Sequence, residues 1–229
     1  INGIPNNNND QKNGHILEKK NECELDHLGI AEVNCNWSKI PYSQRWNERV
    51  RTWWESSKST VAYNQHNPFT DAYQRGGVIS LSVGDIVHRI SGVGKDELLG
   101  RWSWQTVQGA NNKRTTIVTS YRPSNNIYGG QDSVYRQHAN VYSHLTRRGD
   151  PRKIWLDDMK QLIITKMNEG DQIVLLTDIN EDVTSEAIKV WSTSIGLREI
   201  LTTRVEEKVA TKQEAKAAAA KYALMDFKC

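Results

Sequence analysis

Apolar positions recur along this chain in two rhythms. Within residues 42–57, Trp46, Val50 and Trp53 fall at helical spacing, and Val134, His138, Val141 and Leu145 repeat the rhythm further on. Both stretches predict amphipathic helices. A third helix is better punctuated. Asp150 suits an N-cap and Pro151 the first helical position; Trp155, Met159 and Ile163 line one face, and Gly170 closes it. A shorter helix is expected from about Ser185 to Ile195, stopped by Gly196.

Strand-like runs lie between these helices. Residues 28–31 form a short apolar strand. Residues 78–82 and 86–90 predict a hairpin turning at Val83-Gly84-Asp85. Residues 102–107 and 115–120 predict two further strands, joined by the turn-forming 109–112. Ile173-Val174-Leu175-Leu176 is a continuous apolar run, as expected of a strand buried on both faces. Gly92-Val93-Gly94-Lys95 lacks the glycine spacing of a phosphate loop and reads as a turn. Strands and helices interleave from about Leu28 to Ile200, so the fold class is α/β or mixed α+β.

Composition changes after Val205, where strong helix formers take over and Lys208, Lys212 and Lys216 recur every four residues with little apolar stripe. The expected division is a folded domain over 1–204 and a Lys/Glu/Ala-rich helical tail over 205–229. No apolar run approaches the roughly 20 residues of a membrane span. Thirty Lys and Arg against 27 Asp and Glu leave a net charge of +3, which permits a local basic patch but not a polybasic protein. Cys23, Cys35 and Cys229 show no paired metal spacing, so neither structural zinc nor a disulfide framework is expected, and an intracellular, reducing compartment is. An opening at Ile1 rather than Met points to a processed product or an excerpt.

Two strand ends carry the candidate chemistry. Glu32 and Asn34 stand two positions apart, as do Asp178 and Asn180, so in extended backbone each pair shares a face. Polar groups at buried strand ends are where α/β folds place their sites. A carboxylate such as Glu32 suits a hard divalent cation, and Mg²⁺ is the expected one. The plain alternative is Asp and Asn leaving a strand for a loop. Trp53-Trp54 offers either a stacking platform for bases or one buried and one half-exposed helix residue. Arg147, Arg148 and Arg152 gather at a helix boundary, where either phosphates or the helix dipole would favour them.

In order along the chain, Asn2-Gly3, Ile30-Ala31-Glu32-Val33-Asn34, Gly76-Gly77-Val78-Ile79, Thr119-Ser120-Tyr121-Arg122-Pro123 and Leu176-Thr177-Asp178-Ile179-Asn180 resemble the endonuclease/exonuclease/phosphatase superfamily. The nearest flavour is the endonuclease domain of retroelements, related to apurinic endonucleases. The resemblance covers roughly residues 1–200. It implies a four-layer α/β sandwich of two packed mixed sheets and a Mg²⁺-dependent phosphodiesterase acting on DNA. By that resemblance Glu32 is the main metal ligand and Asn2 stands near the metal. Tyr121 contacts the scissile phosphate, Asp178 orients or deprotonates the attacking water, and Asn180 holds a phosphate oxygen. Arg122, beside Tyr121, is the favoured basic phosphate contact, with Asn34 on the same substrate-facing loop.

The sequence also departs from the family. The family's pattern ends on a Ser-Asp-His motif, yet no Asp-His pair lies downstream of Asn180, and all six histidines precede Asp178. The Lys/Ala-rich tail stands where the family's last strands would fall, so the second sheet is expected to be incomplete. The alternative function is therefore a catalytically silent homologue, kept as a structural subunit whose C-terminal helix docks on a protein partner.

Overall fold

The computed structural model describes residues 20–66, 72–126 and 128–198, together with Gly14, Ile16 and Glu18. Asn2, the opening segment, Cys229 and the 205–229 tail lie outside the described residues. Among those described, no helix is long and apolar enough to cross a membrane. Cys23 and Cys35 are free thiols, and burial pushes Cys35 up to about 12, with Arg49 acting weakly against it.

Among the described residues, seven strands form two sheets. The first is antiparallel throughout: β1 (His27–Ala31) and β2 (Ser57–Ala62) flank β3 (Val78–Val83), giving the order β1-β3-β2. The second is mixed. β4 (Ile90–Lys95), β5 (Trp102–Gln108) and β6 (Arg114–Tyr121) run antiparallel, and β7 (Asp171–Asp178) pairs parallel with β6. Among the described residues, helices α1 (Trp46–Trp53), α2 (Val134–His144), α3 (Pro151–Asn168) and α4 (Glu186–Ser194) accompany them.

Strand alternation sorts the side chains into layers. Leu28 and Ile30 of β1 and Ile79, Leu81 and Val83 of β3 join Trp46 and Val50 of α1 in one core. Trp102 and Val118 of the second sheet meet Trp155, Met159 and Ile163 of α3 and Ile188 of α4 in another. Each sheet thus carries helices on its outer face, and the inner faces pack on each other. This is the expected mixed α+β sandwich in four layers.

The seam between the sheets is polar. Ser80 Oγ lies 3.0 Å from Ser103 Oγ and 2.9 Å from Thr119 Oγ1. Ser82 Oγ donates to Gln105 Oε1 at 2.6 Å, and Gln105 Nε2 donates to the carbonyls of Lys58 and Ser80 at 3.0 and 3.2 Å. These groups are buried and find partners across the seam, which is what makes their burial tolerable. Gly29 lets the sheets meet closely: a Cβ there would stand 3.0 Å from Thr119 Oγ1 and 3.2 Å from Leu176 Cδ1.

Helix punctuation follows the sequence. Asp150 caps α3 by accepting from Arg152 N at 2.9 Å, with Pro151 in the first turn. Ser185 caps α4 through Ile188 N, and α4 ends before Gly196, whose φ is +71°. The first helix is shorter than expected, because Tyr42–Gln44 winds as a separate 3₁₀ turn and Arg45 breaks it from α1 in extended backbone.

Three strand expectations need correction. The 78–90 hairpin does not form: β3 and β4 belong to different sheets, and Gly84–Arg89 is a 3₁₀ segment entered through Gly84 at φ +81°. Residues 92–95 are strand rather than turn, because the indole of Trp104 lies across Gly94, where a Cβ would come within 2.4 Å of the ring. Ile173 to Leu176 are half-buried instead of enclosed on both faces, since β7 ends the order β4-β5-β6-β7 with β6 as its neighbour. The strand β2, with its polar Ser57-Lys58-Ser59-Thr60 start, gave no apolar pattern to read.

Candidate active site

Three strands deliver their C-terminal ends to one edge of the sandwich. Glu32 follows β1, Tyr121 ends β6 and Asp178 ends β7, with Tyr121 and Asp178 directly paired in register. The Tyr121 hydroxyl donates to Glu32 Oε1 at 2.6 Å, bridging the two sheets. The Asn180 side chain and the charge of Asp178 both act on the same phenol. Glu32, Tyr121, Asp178 and Asn180, which the sequence scatters over nearly 150 positions, are therefore brought together.

Burial, reinforced by the bond to Glu32 and by the charges of Glu32 and Asp178, raises the Tyr121 phenol well above its ordinary pKa. The hydroxyl thus stays a neutral donor. Tyr121 is buried, whereas Glu32, Asp178 and Asn180 are half-buried and keep contact with solvent.

Backbone conformation aims these groups. Glu32, Asn34 and Asn180 adopt φ of +49°, +57° and +48°, a region that L-residues other than Asn enter at a cost of order 1–2 kcal/mol. The turn after Glu32 is fixed from opposite, where Gly76 and Gly77 have φ of +91° and +82°. Asn34 N donates to Gly76 O, and Gly76 N donates to Asn34 Oδ1, each at 2.8 Å. Asn34 therefore acts as a loop tie, with its amide oxygen engaged by backbone.

Arg122 differs from its expected role. Its side chain is 5% exposed and turned inward, donating to Glu181 Oε2 at 2.5 Å and to the carbonyls of Arg152 and Ile179. Arg152 joins it, donating to the same Glu181 oxygen at 2.7 Å and to the carbonyls of Pro123 and Asn180. The bond from Arg122 is the chief influence holding the Glu181 carboxyl below its ordinary pKa. Asn180 completes the knot, its amide donating to Arg122 O at 2.7 Å and its backbone N–H to Asp178 Oδ1 at 3.2 Å. Arg122 and Arg152 clamp the 178–181 turn in place. Neither Arg152 nor Glu181 as turn-setting partners carried a sequence signal, because the contacts join positions 29 and 59 residues apart.

The other candidates fall elsewhere. Trp53 and Trp54 stand edge-on to one another and pack against the first core. Arg147 pairs with Asp158, which also takes Arg101 at 2.6 Å. His27 and His138 are buried, and His66, His88 and His144 are exposed.

No protein-family profile matches the chain, and no curated protein does. Among solved structures, the human Nocturnin catalytic domain, determined with bound sulfate anion, matches with a TM-score of 0.50 at 12% identity, over 80% of this chain. The match spans 62% of that chain's length. At this identity the likeness is one of fold, a two-sheet sandwich with helices on its outer faces.

Proposed function

We propose that this chain is a Mg²⁺-dependent phosphodiesterase domain of the retroelement-type endonuclease branch, cleaving DNA at the edge where β1, β6 and β7 end. The observation that carries the reading is the 2.6 Å bond from Tyr121 to Glu32, with Asp178 and Asn180 converging on the same phenol.

The donor set suits the proposed cation. Among the described residues no group of three or more His, Cys, Asp and Glu side chains gathers as a metal cage. Mg²⁺ is commonly held by one or two carboxylates, with water and substrate phosphate filling its other positions. Glu32 offers that carboxylate, one oxygen tied to Tyr121, and Asn2 lies outside the described residues. When bound there, Mg²⁺ would neutralise charge growing on the phosphoryl oxygens.

The chain's own groups divide the remaining work. Asp178 accepts a proton from the attacking water and, paired in register with Tyr121, fixes the water's approach. Asn180 presents the second hydrogen of its amide, and Tyr121 its hydroxyl on turning from Glu32 to the substrate, where the pentavalent phosphorus gathers charge. The Arg122–Glu181–Arg152 knot positions the turn that carries both Asp178 and Asn180.

The test is nicking of supercoiled plasmid by the full chain in Mg²⁺ and in EDTA, beside Glu32→Ala and Asp178→Ala. We expect Mg²⁺-dependent nicking that falls at least about a hundredfold in each variant while thermal melting of the folded chains stays close. A folded wild-type chain that does not nick would overturn the reading. The second reading, a silent homologue docking through its C-terminal helix, is favoured by the histidine positions. It predicts that Glu32→Ala and Asp178→Ala leave function untouched.

A further inference from the structure

With Arg122 and Arg152 buried, a cation able to meet an incoming phosphate must come from another element. Arg75 immediately precedes Gly76, the residue tied through both its N–H and its C=O to Asn34. That tie seats Arg75 beside the loop bearing Glu32, and the Glu32 charge is among those acting on its guanidinium. Unlike Arg122, the Arg75 side chain is 51% exposed, and it donates through Nε to Asp132 Oδ2 at 2.8 Å. Asp132, itself 54% exposed, stands directly before Ser133, the N-cap of α2.

An ion pair so exposed contributes little to stability. A phosphodiester offers the guanidinium a like charge and two oxygens arranged for parallel hydrogen bonds. Exchange of the carboxylate for a phosphate is therefore cheap. We propose that Arg75 grips the substrate's phosphate backbone beside the Glu32 site, and that Asp132 is its resting counter-ion, displaced when the substrate enters. The proposal rests on the phosphodiesterase reading and deepens it. Arg75 becomes the substrate-binding arginine, and Asp132 becomes an internal competitor that lowers affinity for polyanions. Aromatic Tyr73, 53% exposed and two positions earlier, also acts on the Arg75 guanidinium.

The two partners must then have opposite effects on binding. Fluorescence anisotropy of a labelled DNA duplex, titrated in EDTA at several salt concentrations with the full chain, measures this without cleavage. Arg75→Ala should weaken binding about tenfold and lower the salt slope by about one. Asp132→Asn should tighten binding severalfold, and it should give no gain when combined with Arg75→Ala. If the pair merely braces two loops, both variants weaken binding alike, which would overturn the proposal, as would two neutral variants. A wild-type chain that fails to bind DNA at low salt would overturn it too. Opposite-signed effects in a chain that binds but does not nick would remove the catalytic reading and leave this one standing.

Discussion

At the scale of single residues, Tyr121 is the joint of the site. Its hydroxyl touches Glu32 from the other sheet, so Tyr121→Phe removes a side-chain bond that ties those two strand ends together. Loss of a hydrogen bond to a charged acceptor costs about 1.5–3 kcal/mol where water does not replace it. Urea unfolding should show a loss at the lower end of that range, since Glu32 keeps some solvent, while plasmid nicking should fall more than tenfold. The raised phenol pKa adds a pH signature. The folded state holds the proton beyond the ordinary value of 10.0, so this stability is whole below that pH and drains away as pH rises past it. The decline above pH 10 should be shallower in Tyr121→Phe.

His27 predicts the opposite limb. It is fully buried between the sheets, its Nδ1 2.9 Å from Ser82 Oγ, and burial lowers its pKa to about 4. A depressed histidine favours the neutral form in the fold, so the stability is present above pH 6.5 and lost as pH falls towards 4. The size is about 3 kcal/mol at one proton over that span. Unfolding measured from pH 7 to pH 4 should flatten in His27→Gln. Part of the acid sensitivity should persist, because burial lowers His138 as well.

Glu32, Asp178 and Asn180 could be picked out in sequence as polar groups at strand ends, and Tyr121 through the family resemblance alone. Arg122 was misread for a physical reason: sequence shows that an arginine follows Tyr121, but not that Glu181 waits inside to neutralise it.

At the scale of elements, α3 shows how local signals suffice when a helix brings its own punctuation. Asp150 satisfies an N–H of the first turn, so Asp150→Ala should cost about 1 kcal/mol in thermal or urea unfolding. Met159, fully buried against the second sheet, sets the larger scale: Met159→Ala should cost about 2–5 kcal/mol by leaving a cavity. Strands were less legible. The glycines of β4 serve the ring of Trp104, yet glycine in sequence signals a turn just as well. β2 presents polar residues because it faces partners through hydrogen bonds more than through apolar contact. The order β1-β3-β2 joins segments separated by long connections, and no local pattern encodes such a pairing.

At the scale of the whole molecule, the site depends on how two sheets sit on each other. Gly29→Ala tests this directly, because the added methyl would press on Thr119 and Leu176 of the opposite sheet. Overpacking of this kind costs about 1–3 kcal/mol. The measurements are unfolding and nicking together, and activity should fall further than stability alone accounts for, since Glu32 rides on the displaced strand.

The polar seam has a consequence for the order in which the molecule fails. Greasy faces can slide over one another and remain wet-proof, but the bonds among Ser80, Ser82, Ser103, Gln105 and Thr119 hold in one alignment only. A mild solvent that competes for hydrogen bonds would uncouple the two halves while each kept its own helices and its own oily interior. Under the proposed function, nicking would then vanish early along a denaturant ramp, ahead of the far-ultraviolet signal, and the nicking assay would serve as a gauge of alignment rather than of folding.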